Sequence, residues 1–152
     1  MATKYNYIMM HKLAKEMKGI KIVHRNLPLD TDCNKYLQGP FHYGSCIDAR
    51  YSIAAEKQGK LWDMNNMLFE KKPQTEEDVL KYAADMGFDM EKLQEDANSP
   101  ETQKEIKDQI DDAYKRGIQG TPSTMINNEV YIGIKTYKEY QEWVEKLGAE
   151  KR

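Results

Sequence analysis

The chain has 152 residues, which is enough for one domain with a buried core. Its 23 basic and 25 acidic residues give a net charge of −2, and no basic stripe or block of like charge occurs. This balance disfavours a nucleic-acid or membrane-surface partner, and the apolar runs are far too short to span a bilayer. No Gly-rich phosphate loop or other cofactor motif is present, so we expect no cofactor.

The first predicted element is an amphipathic helix over residues 4–18, in which apolar residues recur every three or four positions. Gly19 is placed to end it. The next segment, 20–29, carries Ile20, Ile22 and Val23 ahead of Pro28, a pattern that predicts a buried strand. Helix, glycine and strand in this order indicate part of an α/β unit.

The segment from residue 30 to residue 117 is predicted to be helical, with loops between the helices. Apolar positions support helices over 48–60 and 62–69. Three further helices have recognisable start signals, since Ser, Thr and Asp side chains cap helix N-termini and proline favours the first helical position. The predicted caps are Thr75, Asp89 and Ser99, the last followed by Pro100.

The character of the sequence changes after Gly117. Two short β-rich runs, 123–127 and 129–134, surround Asn127 and Asn128, a pair that tolerates positive φ in a tight hairpin turn. Thr136 is predicted to cap a last helix. Its apolar face has members at i, i+3, i+4 and i+7, namely Tyr140, Trp143, Val144 and Leu147. The whole order predicts an α/β domain with a large helical insertion.

Pro122 stands at the mouth of the first hairpin strand, an unusual place for a residue with no N–H to donate. As structure alone, it ends a loop and starts an edge strand. The functional interpretation is a cis Thr121–Pro122 bond in a tight turn. Such a turn would leave the Thr121 backbone groups facing outward, where an extended peptide could pair with them as an added strand.

Six short motifs, taken together and in order, resemble the DsbA-type branch of the thioredoxin superfamily. They are residues 25–30 (RNLPLD), Cys33-Asn34, His42 with Cys46, residues 58–62 (QGKLW), Leu68-Phe69 and Gly120-Thr121-Pro122. The resemblance implies a thioredoxin-like α/β fold in a single domain, 1–152. Its parts would be a helix plus strand (1–29), a helical insertion (30–117) and a cis-proline loop, hairpin and last helix (118–152).

The resemblance also implies a function. Such proteins are thiol–disulfide oxidoreductases that act on polypeptide thiols and disulfides. By that resemblance Gly120, Thr121 and Pro122 form the substrate-binding loop that faces the redox cysteines. It favours an extracytoplasmic location, although residues 1–19 alternate apolar and charged side chains and do not resemble a signal peptide.

One departure from the family pattern is decisive for activity. The redox motif of the family, Cys-X-X-Cys at the N-terminus of the first helix, is absent from these 152 residues. Its place would fall at or just before Met1, and the central strand that should precede it is missing as well. We therefore expect no catalytic residue and a redox-inactive chain, a truncated or internally started version of a longer protein. The open sheet would invite a partner chain, strand exchange or homo-oligomer formation.

Cys33 and Cys46 allow several interpretations. They could be free buried thiols, a disulfide, or zinc ligands together with His42 and either His24 or Asp32. They stand too far apart to share one helix terminus, which disfavours a catalytic pair. Because a Cys-Asn and a His-x-x-x-Cys pair recur at this place in the resembling proteins, the resemblance favours the disulfide. Closing such a loop is worth ~3 kcal/mol in the chain-entropy model. No C-x-x-C knuckle is present in the sequence, so we expect no metal site.

Two alternative functions remain at this stage. One is a non-catalytic module that binds peptide or self-associates through its open sheet. The other is a glutathione-using or isomerase relative of the same fold, for which only Thr3 lies near the start of the first helix. Of the remaining histidines, His11 is expected on the solvated surface and His24 to be partly buried and hydrogen-bonded.

Overall fold

The computed structural model describes residues 2–39 and 41–152, so the position Met1 assigned above to the missing redox motif lies outside the described residues. The described chain forms two compact units. We call residues 2–25 with 116–152 the sheet unit and Asn26–Lys115 the helical unit. In chain order the elements are α1 (Ala2–Glu16), β1 (Met17–Lys18), α2 (Ser45–Lys57), α3 (Leu61–Lys71), α4 (Glu76–Ala83), α5 (Met90–Ala97), α6 (Pro100–Lys115), β2 (Ser123–Ile126), β3 (Glu129–Ile132), α7 (Tyr137–Lys146) and β4 (Glu150–Lys151).

The helical unit packs α2 against its neighbours in two buried clusters. The larger cluster joins α2 to α3, α4 and α5 around the fully buried side chains of Tyr51, Met64 and Leu93. The smaller cluster joins α2 to α6 through Ile53 and Ile110. Each helix presents an apolar stripe to α2, so α2 lies at the centre of the unit.

The predicted helix starts in the helical unit are confirmed. Thr75 accepts a hydrogen bond from the backbone N–H of Asp78, and Asp89 accepts one from that of Lys92. The Ser99 hydroxyl accepts the backbone N–H of Thr102 at 3.2 Å. These side chains satisfy donors that the first turn of a helix leaves unpaired, which is why the sequence alone located them.

The sheet unit holds two small antiparallel sheets, β1 with β4 and β2 with β3. Its core lies between α1 and α7, where Leu13, Met17, Tyr140 and Val144 are buried. Ile126 of β2 packs against the same cluster. The core of the unit therefore consists of these four buried side chains, packed between two helices and beside one strand of the hairpin.

The predicted hairpin is confirmed, with Ser123 opposite Ile132 and Ile126 opposite Glu129. Asn127 and Asn128 occupy the turn with φ of 47° and 73°. Asparagine tolerates this left-handed region because its short polar side chain can bond locally. The predicted cap of the last helix is also confirmed, since Thr136 and Glu139 form a reciprocal capping box.

The predicted strand over residues 20–29 is wrong. The structure has no strand there, and Val23 is 62% exposed. A strand requires a hydrogen-bonded neighbour, and among the described residues none pairs with this segment. Its last part is held instead by a side chain, since the backbone N–H of Asn26 donates to Oε1 of Gln109 at 2.9 Å.

Two details of the predicted helices also differ. The first helix ends at Glu16, and Met17–Lys18 pairs with Glu150–Lys151 as a short strand. Leu147, expected on the buried face of the last helix, is its C-cap and is exposed, because the helix ends one residue earlier. Within the described ranges, no helix is long and apolar enough to cross a bilayer.

Candidate functional site

The loop Gly120-Thr121-Pro122 precedes β2 in the sheet unit, and its Thr121–Pro122 peptide bond is cis. Two hydrogen bonds fix the loop on either side of that bond. The Ser123 hydroxyl donates to the carbonyl of Gly120 at 2.7 Å. The backbone N–H of Gly133 donates to the carbonyl of Pro122 at 2.8 Å, which extends the β2–β3 ladder by one bond.

The three loop residues differ in exposure. Pro122 is buried, Gly120 is half-buried and Thr121 is exposed. Among the described residues, neither backbone group of Thr121 has a hydrogen-bonding partner. A solvated donor and acceptor therefore lie on a loop that is anchored at both ends.

A closed ring of hydrogen bonds ties β2 to the first turns of α1. Asn6 Nδ2 donates to Thr124 Oγ1 at 3.3 Å, and the Tyr140 hydroxyl donates to Asn6 Oδ1 at 2.6 Å. The Thr124 and Tyr140 oxygens are 3.4 Å apart, so the Thr124 hydroxyl completes the ring by donating to Tyr140. Tyr140 is fully buried, as is most of Asn6. The ring holds the strand that follows Pro122 against the N-terminal part of α1.

This ring was not predicted from the sequence. Asn6 lies on the helix face expected to be apolar, whereas Tyr5 and Ile8 are exposed. A buried polar side chain needs partners, and here they come from residues more than a hundred positions away. The one signal in the sequence was an asparagine flanked by tyrosines, which by itself indicates nothing specific.

Cys33 and Cys46 form a disulfide in the helical unit, with their Cα atoms 6.0 Å apart. Cys46 is buried in the first turn of α2, and Cys33 packs beside the cluster that contains Ile53 and Ile110. The sulfur atoms are bonded to each other, so in this state neither is a nucleophile or a metal ligand.

Buried polar residues hold the loop that the disulfide closes. The Asp30 carboxylate accepts the backbone N–H of Gly44 at 2.9 Å and that of Asp32 at 3.1 Å. Asn34 Nδ2 donates to the carbonyl of Pro28 at 2.9 Å. Both side chains are nearly inaccessible to solvent and fully used by backbone groups. The loop is therefore fixed by local hydrogen bonds as well as by the covalent link.

The zinc alternative does not assemble. No group of three or more His, Cys, Asp or Glu side chains among the residues that the structure describes is placed to hold a metal ion. His42 and Asp32 are exposed, while His24 is half-buried.

The sequence drew attention to two residues of α1, His11 and Thr3. His11 was expected on the solvated surface, but its ring is half-buried and packs on Tyr7 with centroids 4.5 Å apart. Burial lowers the pKa of His11, because the charged imidazolium loses solvation. Thr3 lies exposed in the first turn of α1.

Asp48 is a titratable group that sequence reasoning missed. It lies in the first turn of α2, two residues after Cys46, and Oδ1 is buried without a hydrogen-bond partner in the described part of the chain. Burial raises the pKa of Asp48 from 3.8 to about 7. An aspartate in a first helical turn ordinarily predicts a solvated charge that interacts favourably with the helix dipole, so no local pattern indicated a buried carboxyl here.

The geometry described so far agrees with the comparison against known families. The DSBA-like thioredoxin domain matches residues 7–145. The chain belongs to this family. The thioredoxin-like fold and the DsbA-type resemblance are thereby confirmed, and the family is one of thiol–disulfide oxidoreductases that interact with thiol or disulfide substrates.

A solved structure gives the same result. The chain is similar to a thioredoxin-like oxidoreductase from Silicibacter pomeroyi DSS-3, with 30% sequence identity and a TM-score of 0.63. The match covers 72% of this chain and 64% of that one.

Curated relatives include much longer proteins. The Na(+)/H(+) antiporter NhaA 3 of Salinispora tropica is 26% identical over 125 residues, which is 82% of this chain and 18% of the antiporter. The Na(+)/H(+) antiporter NhaA of Herminiimonas arsenicoxydans is 31% identical over 88 residues, which is 57% of this chain and 14% of the antiporter. The chain thus spans less than a fifth of these relatives, and the ion exchange in their names is a property of those proteins.

Proposed function

We propose that this chain is the polypeptide-binding portion of a DsbA-like thiol–disulfide oxidoreductase. It binds an extended substrate segment at Gly120-Thr121-Pro122 and is inactive in thiol–disulfide exchange by itself. The observation that carries the proposal is Thr121, an exposed residue on an anchored loop whose backbone donor and acceptor have no partner among the described residues.

Backbone pairing is the mode of binding that this loop favours. A strand added to an exposed edge gains affinity from main-chain hydrogen bonds, which do not depend on the side chains of the added segment. The buried Pro122 and the hydrogen bonds of Ser123 and Gly133 hold Thr121 in place before a ligand arrives. A preorganised loop loses little conformational entropy on binding. A protein that acts on many unfolded polypeptides needs this tolerance of sequence.

The exchange reaction requires a thiolate that this chain does not supply. In that reaction a thiolate attacks one sulfur of a disulfide, a mixed disulfide forms, and the other sulfur leaves as a thiolate. The two cysteines of the sequence are bonded to each other, and Cys46 is buried. We therefore expect no acceleration of insulin reduction by dithiothreitol in the presence of this chain. Robust catalysis that depends on Cys33 or Cys46 would contradict the proposal.

The binding experiment uses two peptides that differ by one methyl group. A capped pentapeptide of glycine, threonine and valine is titrated into the ¹⁵N-labelled chain, and the amide signal of Thr121 is followed by NMR. A second peptide with an N-methyl group on its central residue serves as the matched control. Because a hydrogen bond contributes about 0.5–1.5 kcal/mol net, N-methylation at the pairing position is expected to weaken binding about two- to tenfold.

Two outcomes of that titration would reject Thr121 as the binding position. One is equal binding of both peptides, which would mean that side chains rather than backbone groups carry the affinity. The other is a set of shifted signals confined to the helical unit. Either result would leave family membership intact, since membership rests on the match over residues 7–145.

The source of the redox cysteines is a further part of the proposal. The sequence contains no Cys-X-X-Cys, and among the described residues β2 pairs with β3 alone. A cysteine-bearing strand in polypeptide outside these 152 residues would supply both a partner for β2 and the missing thiolate. The intact mass of the natural product tests this, and a mass equal to that of the 152 residues would reject it.

The non-catalytic alternative, a self-associating module, is favoured by one specific observation. Met125, Val130 and Ile132 lie on one face of the hairpin and are all exposed, and both strands have an unpaired edge in the described chain. Exposed apolar strands are templates for pairing with a second copy. Light scattering at several protein concentrations distinguishes self-association from peptide binding by a monomer. A dimer that Met125→Lys disrupts would support self-association, and a monomer at every concentration would reject it.

A further inference from the structure

A small groove of about 400 Å³ lies in the sheet unit between β3 and α7. One wall is aromatic, with the rings of Tyr131 and Trp143. The rim is acidic, with the carboxylates of Glu129, Glu139 and Glu142. Neither the Gly120-Thr121-Pro122 loop nor the disulfide contributes to it.

The aromatic wall already holds a cation, which belongs to the chain itself. The ammonium of Lys135 lies 3.8 Å from the ring centroid of Tyr131 and 5.8 Å from that of Trp143. A cation within about 6 Å of a ring centroid is attracted by the negative face of the ring. The two rings therefore already face a cation, the ammonium of a lysine in the same chain.

The indole of Trp143 is held in place independently of Lys135. Trp143 Nε1 donates a hydrogen bond to Oε2 of Glu129 at 2.6 Å, which fixes the indole relative to β3. Tyr140, which is fully buried, lies parallel to the same indole with centroids 6.4 Å apart. The indole would therefore keep its position if the lysine left.

The electrostatics favour a second cation once Lys135 moves away. Three carboxylates and two ammonium groups, those of Lys135 and Lys146, line the groove. Hydrogen bonds from Thr136 hold the pKa of Glu139 below its usual range, so this carboxylate stays charged at neutral pH. Within the described residues Lys135 makes no ion pair within 4 Å, and its longer-range attraction to Glu139 is the least of the causes that lower the pKa of that carboxyl. Its flexible stem can therefore rotate into solvent without breaking a direct ion pair.

We infer that this groove binds a cationic side chain, an arginine or a lysine of a polypeptide, which takes the place of Lys135 between Tyr131 and Trp143. Lys135 acts as an internal competitor that keeps the affinity low until a basic segment is presented. The site does not depend on the proposed role of Thr121.

The test uses Trp143 as the reporter. The Trp62→Phe variant leaves Trp143 as the one tryptophan, and acetyl-arginine amide is titrated while tryptophan emission is recorded. Acetyl-citrulline amide, which has nearly the same shape without the charge, is the control ligand. We expect a saturable change with the arginine compound and a several-fold weaker one with citrulline. Equal responses to the two compounds would overturn the inference.

Two matched variants then separate displacement from net charge. Lys135→Met removes the internal competitor, whereas Lys146→Met removes the same charge from the same groove but not from the rings. We expect Lys135→Met to bind arginine amide about two- to fivefold more tightly than Lys146→Met, and Tyr131→Leu to weaken binding by a similar factor. Equal affinity of the two methionine variants would show that Lys135 does not occupy the ligand position and would also overturn the inference.

Discussion

The two units of the chain bury their apolar residues very differently. Of the nineteen buried hydrophobic residues among those described, four belong to the sheet unit, namely Leu13, Met17, Tyr140 and Val144. Of the eleven exposed large hydrophobic residues, eight belong to the sheet unit, including Val23, Met125, Val130 and Ile132. Most of the buried hydrophobic residues therefore lie in the helical unit, and most of the exposed large ones lie in the sheet unit.

The contrast teaches where each kind of element finds its partners. A helix satisfies its own backbone and needs a neighbour only for its apolar stripe. A strand needs a neighbour for its backbone as well. The sheet unit therefore retains unpaired strand edges and exposed apolar side chains, and the proposed polypeptide-binding loop lies in this unit. Its stability should be less sensitive to truncation of apolar side chains than that of the helical unit.

The largest effect is expected from Leu93→Ala in the helical unit. Leu93 is fully buried, so the substitution leaves a cavity and should lower the free energy of unfolding by about 2–5 kcal/mol. Ile132→Ala in the sheet unit is the control, because Ile132 is 52% exposed and should cost less than about 1 kcal/mol. Urea denaturation followed by Trp62 in a Trp143→Phe background measures Leu93→Ala in the helical unit, and Trp143 in a Trp62→Phe background measures Ile132→Ala in the sheet unit. Similar costs for the two variants would refute the contrast.

The next effect concerns the disulfide. The double variant Cys33→Ala with Cys46→Ala should lower the free energy of unfolding by ~3 kcal/mol, since the unfolded chain regains the freedom of a loop of about 15 residues. The same Trp62 reporter measures it. If the variant unfolds at the urea concentration of the wild type, the hydrogen bonds of Asp30 and Asn34 fix the loop without the covalent link.

A smaller effect is expected from Tyr140→Phe in the sheet unit. The substitution removes one hydroxyl and leaves Asn6 Oδ1 without its donor and the Thr124 hydroxyl without its acceptor, at a cost of about 1–3 kcal/mol. Tyr137→Phe is the control, because the Tyr137 hydroxyl donates to Glu16 at an exposed position where water can replace it. Trp143 in the Trp62→Phe background reports this unfolding. If Tyr137→Phe lowers the free energy of unfolding as much as Tyr140→Phe does, the burial of the hydrogen bonds among Asn6, Thr124 and Tyr140 does not add to their contribution.

The smallest effect, for a change of one pH unit, is expected from the titration of Asp48. Since burial raises its pKa from 3.8 to about 7, the folded chain retains a proton on this carboxyl over a range in which the unfolded chain has lost it. Asp48 therefore makes the free energy of unfolding fall as pH rises from about 4 to about 7, by at most about 1.4 kcal/mol per pH unit.

Asp48→Asn should remove that fall and leave a flatter stability profile between those two pH values. Asp63→Asn, which removes an exposed carboxylate from the first turn of α3, is the charge-matched control and should leave the slope unchanged. Urea denaturation at four pH values measures both. The same slope in wild type and Asp48→Asn would show that the carboxyl is solvated.

The sequence predicted the elements whose signals are local. The capping residues Thr75, Asp89, Ser99 and Thr136 each act within three residues of themselves, and each was located correctly. The turn at Asn127 and Asn128 was found for the same reason. The strand predicted over residues 20–29 was wrong, because a strand forms only beside another strand, and a local pattern does not show whether that neighbour is present.

For the candidate site, the groups available for chemistry can be read from the sequence alone: a Gly-Thr-Pro loop before a hairpin, two cysteines and no Cys-X-X-Cys. Which groups lie in contact depends on how the elements pack. In the folded chain Asn6, Thr124 and Tyr140 form a closed ring of hydrogen bonds, and Oδ1 of Asp48 is buried. The ammonium of Lys135 lies against the rings of Tyr131 and Trp143. Caps and turns rest on short-range hydrogen bonds, which a few neighbouring residues in the sequence reveal. Burial and long-range contacts depend on how the elements pack, and no local sequence pattern encodes that packing.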